Sequence, residues 1–102
     1  MKLEREDIEF DFLVGVYEVC DSLKSDKEEL NDKSEFIIRA LAQQMANFYK
    51  MSYPNDIDIE IEVMINTLEE LEIEEDYELC AVYRGAIKLL KNHQDGKGIL
   101  LP

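Results

Sequence analysis

Apolar residues recur every three to four positions over most of the chain, which is the spacing of residues on one face of an α-helix. The first such stretch predicts an amphipathic helix over residues 5–24. Its apolar stripe consists of Ile8, Phe12, Leu13, Val16, Tyr17, Cys20 and Leu23. Gly15 has low helix propensity, and its place inside this helix is compatible with a close contact to another helix.

A second helix is predicted to start at Asp32, because Asp32 and Glu35 have the spacing of a capping box. The apolar residues of this helix are Phe36, Ile37, Ile38, Leu41, Met45, Phe48 and Tyr49. The helix should end before residues 52–55, since Pro54 disfavours helical conformation at Tyr53. The polar residues 25–33 are expected to form an exposed connection.

Residues 56–63, DIDIEIEV, fit two patterns. Strict alternation of apolar and acidic residues is the period of a half-buried strand. A longer helical stripe runs through the same region, formed by Ile57, Ile61, Met64, Ile65, Leu68 and Leu71. A lone strand would also lack a pairing partner. The pattern therefore favours a helix over residues 56–73.

The last helix is predicted over residues 76–92. Its apolar stripe consists of Leu79, Val82, Tyr83, Ala86, Ile87 and Leu90. Acidic residues crowd its start, and Lys88, Lys91 and His93 gather at its end, as the helix dipole prefers. Gly96 or Gly98 is expected to stop it. The sequence thus predicts one all-α domain over residues 1–102, a small antiparallel bundle of about four helices that ends in a helical hairpin.

Charge narrows the possible partners. The chain carries 24 Asp and Glu residues against 11 Lys and Arg residues, a formal net charge of −13. DNA, RNA and anionic membranes would repel such a chain, so we expect no direct binding to nucleic acid or to membranes. Basic protein surfaces would be attracted to it. The start MKLEREDIEFDF is acidic where a signal peptide would be basic and then apolar, and no uninterrupted apolar stretch is long enough to span a bilayer, so we expect a cytoplasmic location.

The usual constellations of catalytic residues are not found in the sequence. The single histidine, His93, excludes most nucleophile and base arrangements, and no zinc or phosphate-loop motif is present. Cys20 and Cys80 lie on apolar stripes and are expected to be buried thiols. If residues 56–62 formed a strand, their alternating acids would lie on one face as possible metal ligands, but the glycine-bearing loop of a calcium site is missing. Glu70, Glu74 and Glu78, with Glu75 nearby, resemble part of an all-α metal-dependent nucleotide hydrolase, but the second half of that pattern is lacking. We therefore predict no catalytic residue, metal or cofactor.

The most specific local pattern is residues 69–91, EELEIEEDYELCAVYRGAIKLLK. This segment resembles the second helix of the UVR motif, the short helical hairpin found in UvrB and UvrC. The shared pattern is an aspartate, an aromatic residue and a glutamate, followed by two small residues, an arginine, an isoleucine and a leucine. The matching residues here are Asp76, Tyr77, Glu78, Cys80, Ala81, Arg84, Ile87, Lys88 and Leu90. Two positions depart from the family pattern: Gly85 replaces the usual aspartate, and Cys80 the usual alanine.

The resemblance implies a protein-docking element, since the UVR hairpin pairs with a hairpin of its partner. The partner-binding residues implied by it are Tyr77, Glu78, Arg84, Ile87 and Lys88, beside an acidic face formed by Glu70, Glu74, Glu75 and Asp76. The leading hypothesis is a non-catalytic adaptor or regulator that docks on a protein with a basic or helical surface; a homodimer is compatible with the same residues. The first alternative is an acidic mimic of nucleic acid that inhibits a nucleic-acid-binding protein, and the second is a carboxylate-metal hydrolase.

Overall fold

The structure, a computed structural model, describes residues 5–25 and 32–99. Within these ranges the chain forms four helices: α1 (Arg5–Ser25), α2 (Asp32–Ser52), α3 (Ile57–Ile73) and α4 (Tyr77–Ile99). The all-α prediction is confirmed. The strand reading of residues 57–63 is excluded, because this segment forms the first two turns of α3. Most of the predicted connection at residues 25–33 lies outside the described residues.

The predicted stop at Gly96 or Gly98 is wrong, since α4 continues through both glycines to Ile99. An interior glycine weakens a helix by about 1 kcal/mol but ends it only where the backbone turns left-handed. No described glycine has a positive φ. Within the described ranges, no helix combines the length and the apolar composition that crossing a bilayer requires.

One hydrophobic core joins all four helices, and α4 contributes the most residues to it. Val82, Ala86 and Leu90 of α4 are fully buried, as are Met45 and Ala46 of α2. Helix α4 packs against both α2 and α3. The pairs Glu72–Arg84 and Asp58–Gln94 occur in opposite order along α3 and α4, so these two helices form an antiparallel hairpin.

Helices α2 and α4 approach closely at Gly85. A Cβ atom at this position would lie 2.8 Å from the Cβ atom of Ala42, closer than side chains tolerate. The aspartate that is usual here in the UVR motif would not fit. Gly15 does not mark a close helix contact, since a Cβ atom there would meet nothing within 4 Å.

Helix α1 is attached to the bundle by buried apolar residues and by one polar cluster. Val16 and Cys20 are buried in the core, and the ring of Phe12 stacks on that of Phe48 with centroids 4.8 Å apart. The hydroxyl groups of Tyr49 and Tyr53 each donate a 2.7 Å hydrogen bond to the carboxylate of Glu9. Ile8 and Tyr17, which the apolar pattern assigned to the core stripe, are exposed instead.

Candidate functional site

The turn between α3 and α4 sets the geometry of the hairpin. Glu75 has a φ of 61°, the left-handed conformation that usually requires glycine. The N–H of Asp76 donates to the carbonyl of Leu71 at 3.1 Å, and the N–H of Glu75 donates to that of Glu72 at 3.2 Å. These two bonds form a Schellman motif, which satisfies the last carbonyl groups of α3 and reverses the chain.

Asp76 caps the N-terminus of α4. Its side-chain oxygen accepts a 3.4 Å hydrogen bond from the N–H of Leu79, the third residue of α4. Its backbone carbonyl accepts from the N–H of Cys80 at 2.9 Å. Because Asp76 is half-buried and caps α4, its carboxylate contributes mainly to the hairpin and less to the acidic surface.

Three of the five residues predicted to bind a partner share one face of α4. Tyr77, Arg84 and Lys88 are spaced by seven and four residues, which places them one above the other on the helix, and all three are exposed. Tyr77 has 67% of its surface exposed. Glu78 lies on a different side of the helix and is half-buried. Ile87 is only 7% exposed and belongs to the core.

An open groove of about 490 Å³ runs between α3 and α4 beside this face. It is lined by Ile65, Leu68, Arg84, Ile87, Lys88, Lys91 and Asn92. The isoleucines and the leucine give it apolar walls, whereas Arg84, Lys88 and Lys91 place three positive charges along α4. The groove therefore combines apolar surface with cations in a chain whose formal net charge is −13.

Four residues that line this groove were not predicted as site residues: Ile65, Leu68, Lys91 and Asn92. Lys91 follows Arg84 by seven residues, a spacing that places both on one helix face and was available from the sequence. Ile65 and Leu68 are half-buried at the edge of the α3 stripe. No sequence signal separates them from the stripe residues that are fully buried.

One cation of the groove has a partner within the chain. The guanidinium of Arg84 forms an ion pair of 3.3 Å with the carboxylate of Glu72, and the two side chains are 54% and 48% exposed. Exposed pairs of this kind contribute about 0–1 kcal/mol to stability, because water and salt screen them. A carboxylate from another chain can therefore replace Glu72 at little cost.

The predicted acidic face lies at the turn of the hairpin. Glu70, Glu74 and Glu75 are exposed there, next to the half-buried Asp76. The cations of the groove start two helical turns further along α4. The outer surface of the hairpin is therefore bipolar, with acids at the turn and cations toward the end of α4, as the dipole of α4 favours.

The carboxylates considered as metal ligands are dispersed, and the two thiols are buried. Because residues 57–63 are helical, the alternating acids point to several sides of α3 and do not line one face. Among the described residues, no three His, Cys, Asp or Glu side chains are grouped to hold a metal ion. Cys20 and Cys80 are each 1% exposed and neither is in a disulfide, which confirms the predicted burial of both thiols. Burial also raises the pKa of Cys80, an effect that nearby Arg84 opposes.

The polar cluster at Glu9 was not predicted by any pattern, because Glu9 lies 40 and 44 residues from its partners Tyr49 and Tyr53. Burial, followed by the hydrogen bond to Glu9, raises the pKa of Tyr49. Burial, followed by the charges of Glu9 and Asp56, raises the pKa of Glu60. The raised pKa of Tyr49 keeps its hydroxyl protonated as a donor to Glu9. This bond and the one from Tyr53 fasten α1 to the bundle.

The hairpin is thus the part of the molecule where the sequence-predicted residues and an open apolar surface coincide. Its groove, its cations and its acidic turn are built from α3 and α4 alone. Comparison of the chain with protein-family models, with curated proteins and with solved structures found no match.

Proposed function

We propose that this protein is a non-catalytic interaction module that binds a helix of another polypeptide in the α3–α4 groove. The observation that carries the proposal is the combination of an apolar wall, from Ile65, Leu68 and Ile87, with a row of cations on one open groove. Amphipathic helices dock into grooves of this kind by laying their apolar face against the wall. The cations then select acidic residues beside that apolar face.

The residues around the groove are of the types that dominate binding energy. Arginine and tyrosine are enriched among the residues whose loss weakens protein interfaces most, and Arg84 and Tyr77 lie on the same exposed face. Ile87, being part of the core, holds its position before binding, so little ordering is needed there. The acidic turn beyond Tyr77 would repel the acidic partner and so fixes the direction in which a helix lies.

A second candidate function rests on the acids elsewhere on the surface. Exposed carboxylates on α1 and α3 include Asp7, Asp11, Glu18, Asp21, Asp58, Glu62, Glu69 and Glu70. A protein that mimics nucleic acid uses such charges to occupy a basic binding surface. This mode predicts strong weakening by salt and competition by DNA or RNA, neither of which groove binding requires.

The two functions are separated by capturing partners from native cell extract with the tagged chain. Arg84→Glu combined with Lys88→Glu should abolish capture if the groove binds the partner. The matched control is Arg39→Glu with Lys50→Glu, which makes the same change of charge on α2 and should leave capture intact. Capture that ignores the groove variant, and is lost instead when DNA is added, would replace groove docking with nucleic-acid mimicry.

A further inference from the structure

Helix α1 has a second apolar face that the bundle covers only in part. Phe10, Val14 and Tyr17 are spaced by four and three residues, so they form one stripe, and all three are exposed. Phe10 alone has 68% of its surface exposed. The residues of α1 that enter the core, Val16 and Cys20, lie on a different face of the helix. Within the stripe, Tyr17 also bonds to the buried Tyr83 of α4 through its side chain. Phe10 and Val14 do not belong to the core.

Acidic residues border this stripe. Asp11 and Glu18, which follow Phe10 and Tyr17 directly, are both exposed, as are Asp7 and Asp21 at the two ends of the stripe. The outer face of α1 is thus an apolar stripe beside a row of carboxylates. The α3–α4 groove has the complementary composition, with apolar walls beside a row of cations.

We propose that the helix that occupies the α3–α4 groove is α1 of a second copy of this chain; the inference rests on the groove docking proposed above. The apolar stripe of α1 lies against the wall formed by Ile65 and Leu68, and the acids beside it pair with Arg84, Lys88 and Lys91. Each copy carries one groove and one α1, so each acts as both acceptor and donor. Because the apolar surfaces and the opposite charges must both match, the groove selects one particular acidic helix and not any acidic surface.

Net charge opposes the contact and gives it a recognisable salt dependence. Two chains with a formal charge of −13 each repel one another over long distances. At an ionic strength of about 0.01 M this repulsion extends over about 30 Å, whereas at about 0.15 M it extends over about 8 Å. The pairing of α1 acids with groove cations acts at shorter range. Association should therefore strengthen when salt rises from the lower to the higher value.

The test is sedimentation of the purified chain over a range of concentrations up to about 500 µM, where even weak contacts populate a complex. The wild-type chain should self-associate. The groove variant Arg84→Glu with Lys88→Glu, and the α1 variant Asp11→Lys with Glu18→Lys, should each weaken association at least about tenfold. All four side chains are exposed, so circular dichroism should show unchanged helix content.

Mixing the groove variant with the α1 variant should restore a complex, because the reversed charges complement each other and one intact groove meets one intact α1. Matched controls are Arg39→Glu with Lys50→Glu for the groove and Glu35→Lys with Glu62→Lys for α1, which should associate as the wild type does.

A wild-type chain that stays monomeric while groove-dependent capture from extract persists overturns only the self-docking. Association and capture that both ignore the groove variant overturn the self-docking and the proposed function together.

Discussion

Arg84 and Glu72 form an ion pair of 3.3 Å across the hairpin, from α4 to α3. Because both side chains are about half exposed, Glu72→Gln should lower the free energy of unfolding by less than about 1 kcal/mol. The same change frees the guanidinium to meet a carboxylate in the groove, so docking should become tighter by a few-fold. Urea unfolding and sedimentation measure the two effects separately. Weaker docking by this variant would show that Glu72 positions Arg84 and does not compete for it.

The approach of Gly85 to Ala42 predicts that Gly85→Ala destabilises the protein although alanine is the better helix former. The new methyl group would lie 2.8 Å from the Cβ atom of Ala42. Overpacking of this kind costs about 1–3 kcal/mol. Ala42→Gly in the same chain should recover part of the loss. Gly15→Ala is the matched control: with nothing within 4 Å of the added atom, it should stabilise the protein by about 0.5–1 kcal/mol.

The left-handed backbone of Glu75 predicts that Glu75→Gly raises stability. The left-handed conformation destabilises a residue with a Cβ atom by about 1–2 kcal/mol, and glycine avoids this cost. Part of the gain is lost because glycine has more conformational freedom in the unfolded chain. Thermal unfolding should show a gain of about 0.5–1 kcal/mol. Glu74→Gly, at a right-handed position with a φ of −77°, should instead destabilise. Equal effects at the two positions would contradict the assignment of strain to Glu75.

The raised pKa of Glu60 predicts how one substitution depends on pH. Burial first, and then the charges of Glu9 and Asp56, favour the protonated form in the folded state. The folded protein therefore holds this proton to higher pH than the unfolded chain does, and the contribution of Glu60 to stability falls as pH rises through the interval between the two pKa values. Glu60→Gln should thus stabilise the protein at about pH 7 and have a smaller effect at about pH 4. Urea unfolding at both values measures this, with exposed Glu62→Gln as the control.

The helical period predicts the fold well because each stripe serves one contiguous core. It places α3 correctly, since Ile57, Ile61 and Met64 continue a stripe that a short strand would break. It also places the start of the last helix at Asp76, whose side chain caps α4. The period correctly leaves Phe10 and Val14 out of the core stripe, but it does not reveal that they form a second, exposed apolar face.

The site is harder to predict than the fold, because it depends on contacts between distant residues. Tyr77, Arg84 and Lys88 were found through a local pattern, and the helix places them on one face. Ile65 and Leu68 reach the groove only because α3 folds back on α4. The bonds to Glu9 of α1 likewise come from distant residues, Tyr49 in α2 and Tyr53 just after it, which the sequence does not pair with α1.

The packing of α2 on α4 limits how this hairpin can be used. A helical hairpin that packs on no other helix of its chain can be transferred to unrelated proteins as an independently folding unit. Here Val82, Ala86 and Leu90 are fully buried within the four-helix core, and Gly85 is fitted against Ala42. Transplanted alone, residues 57–99 would expose that apolar surface to water and lose their shape. Grafting the α3–α4 groove onto a new scaffold therefore requires α2 to be transferred with it.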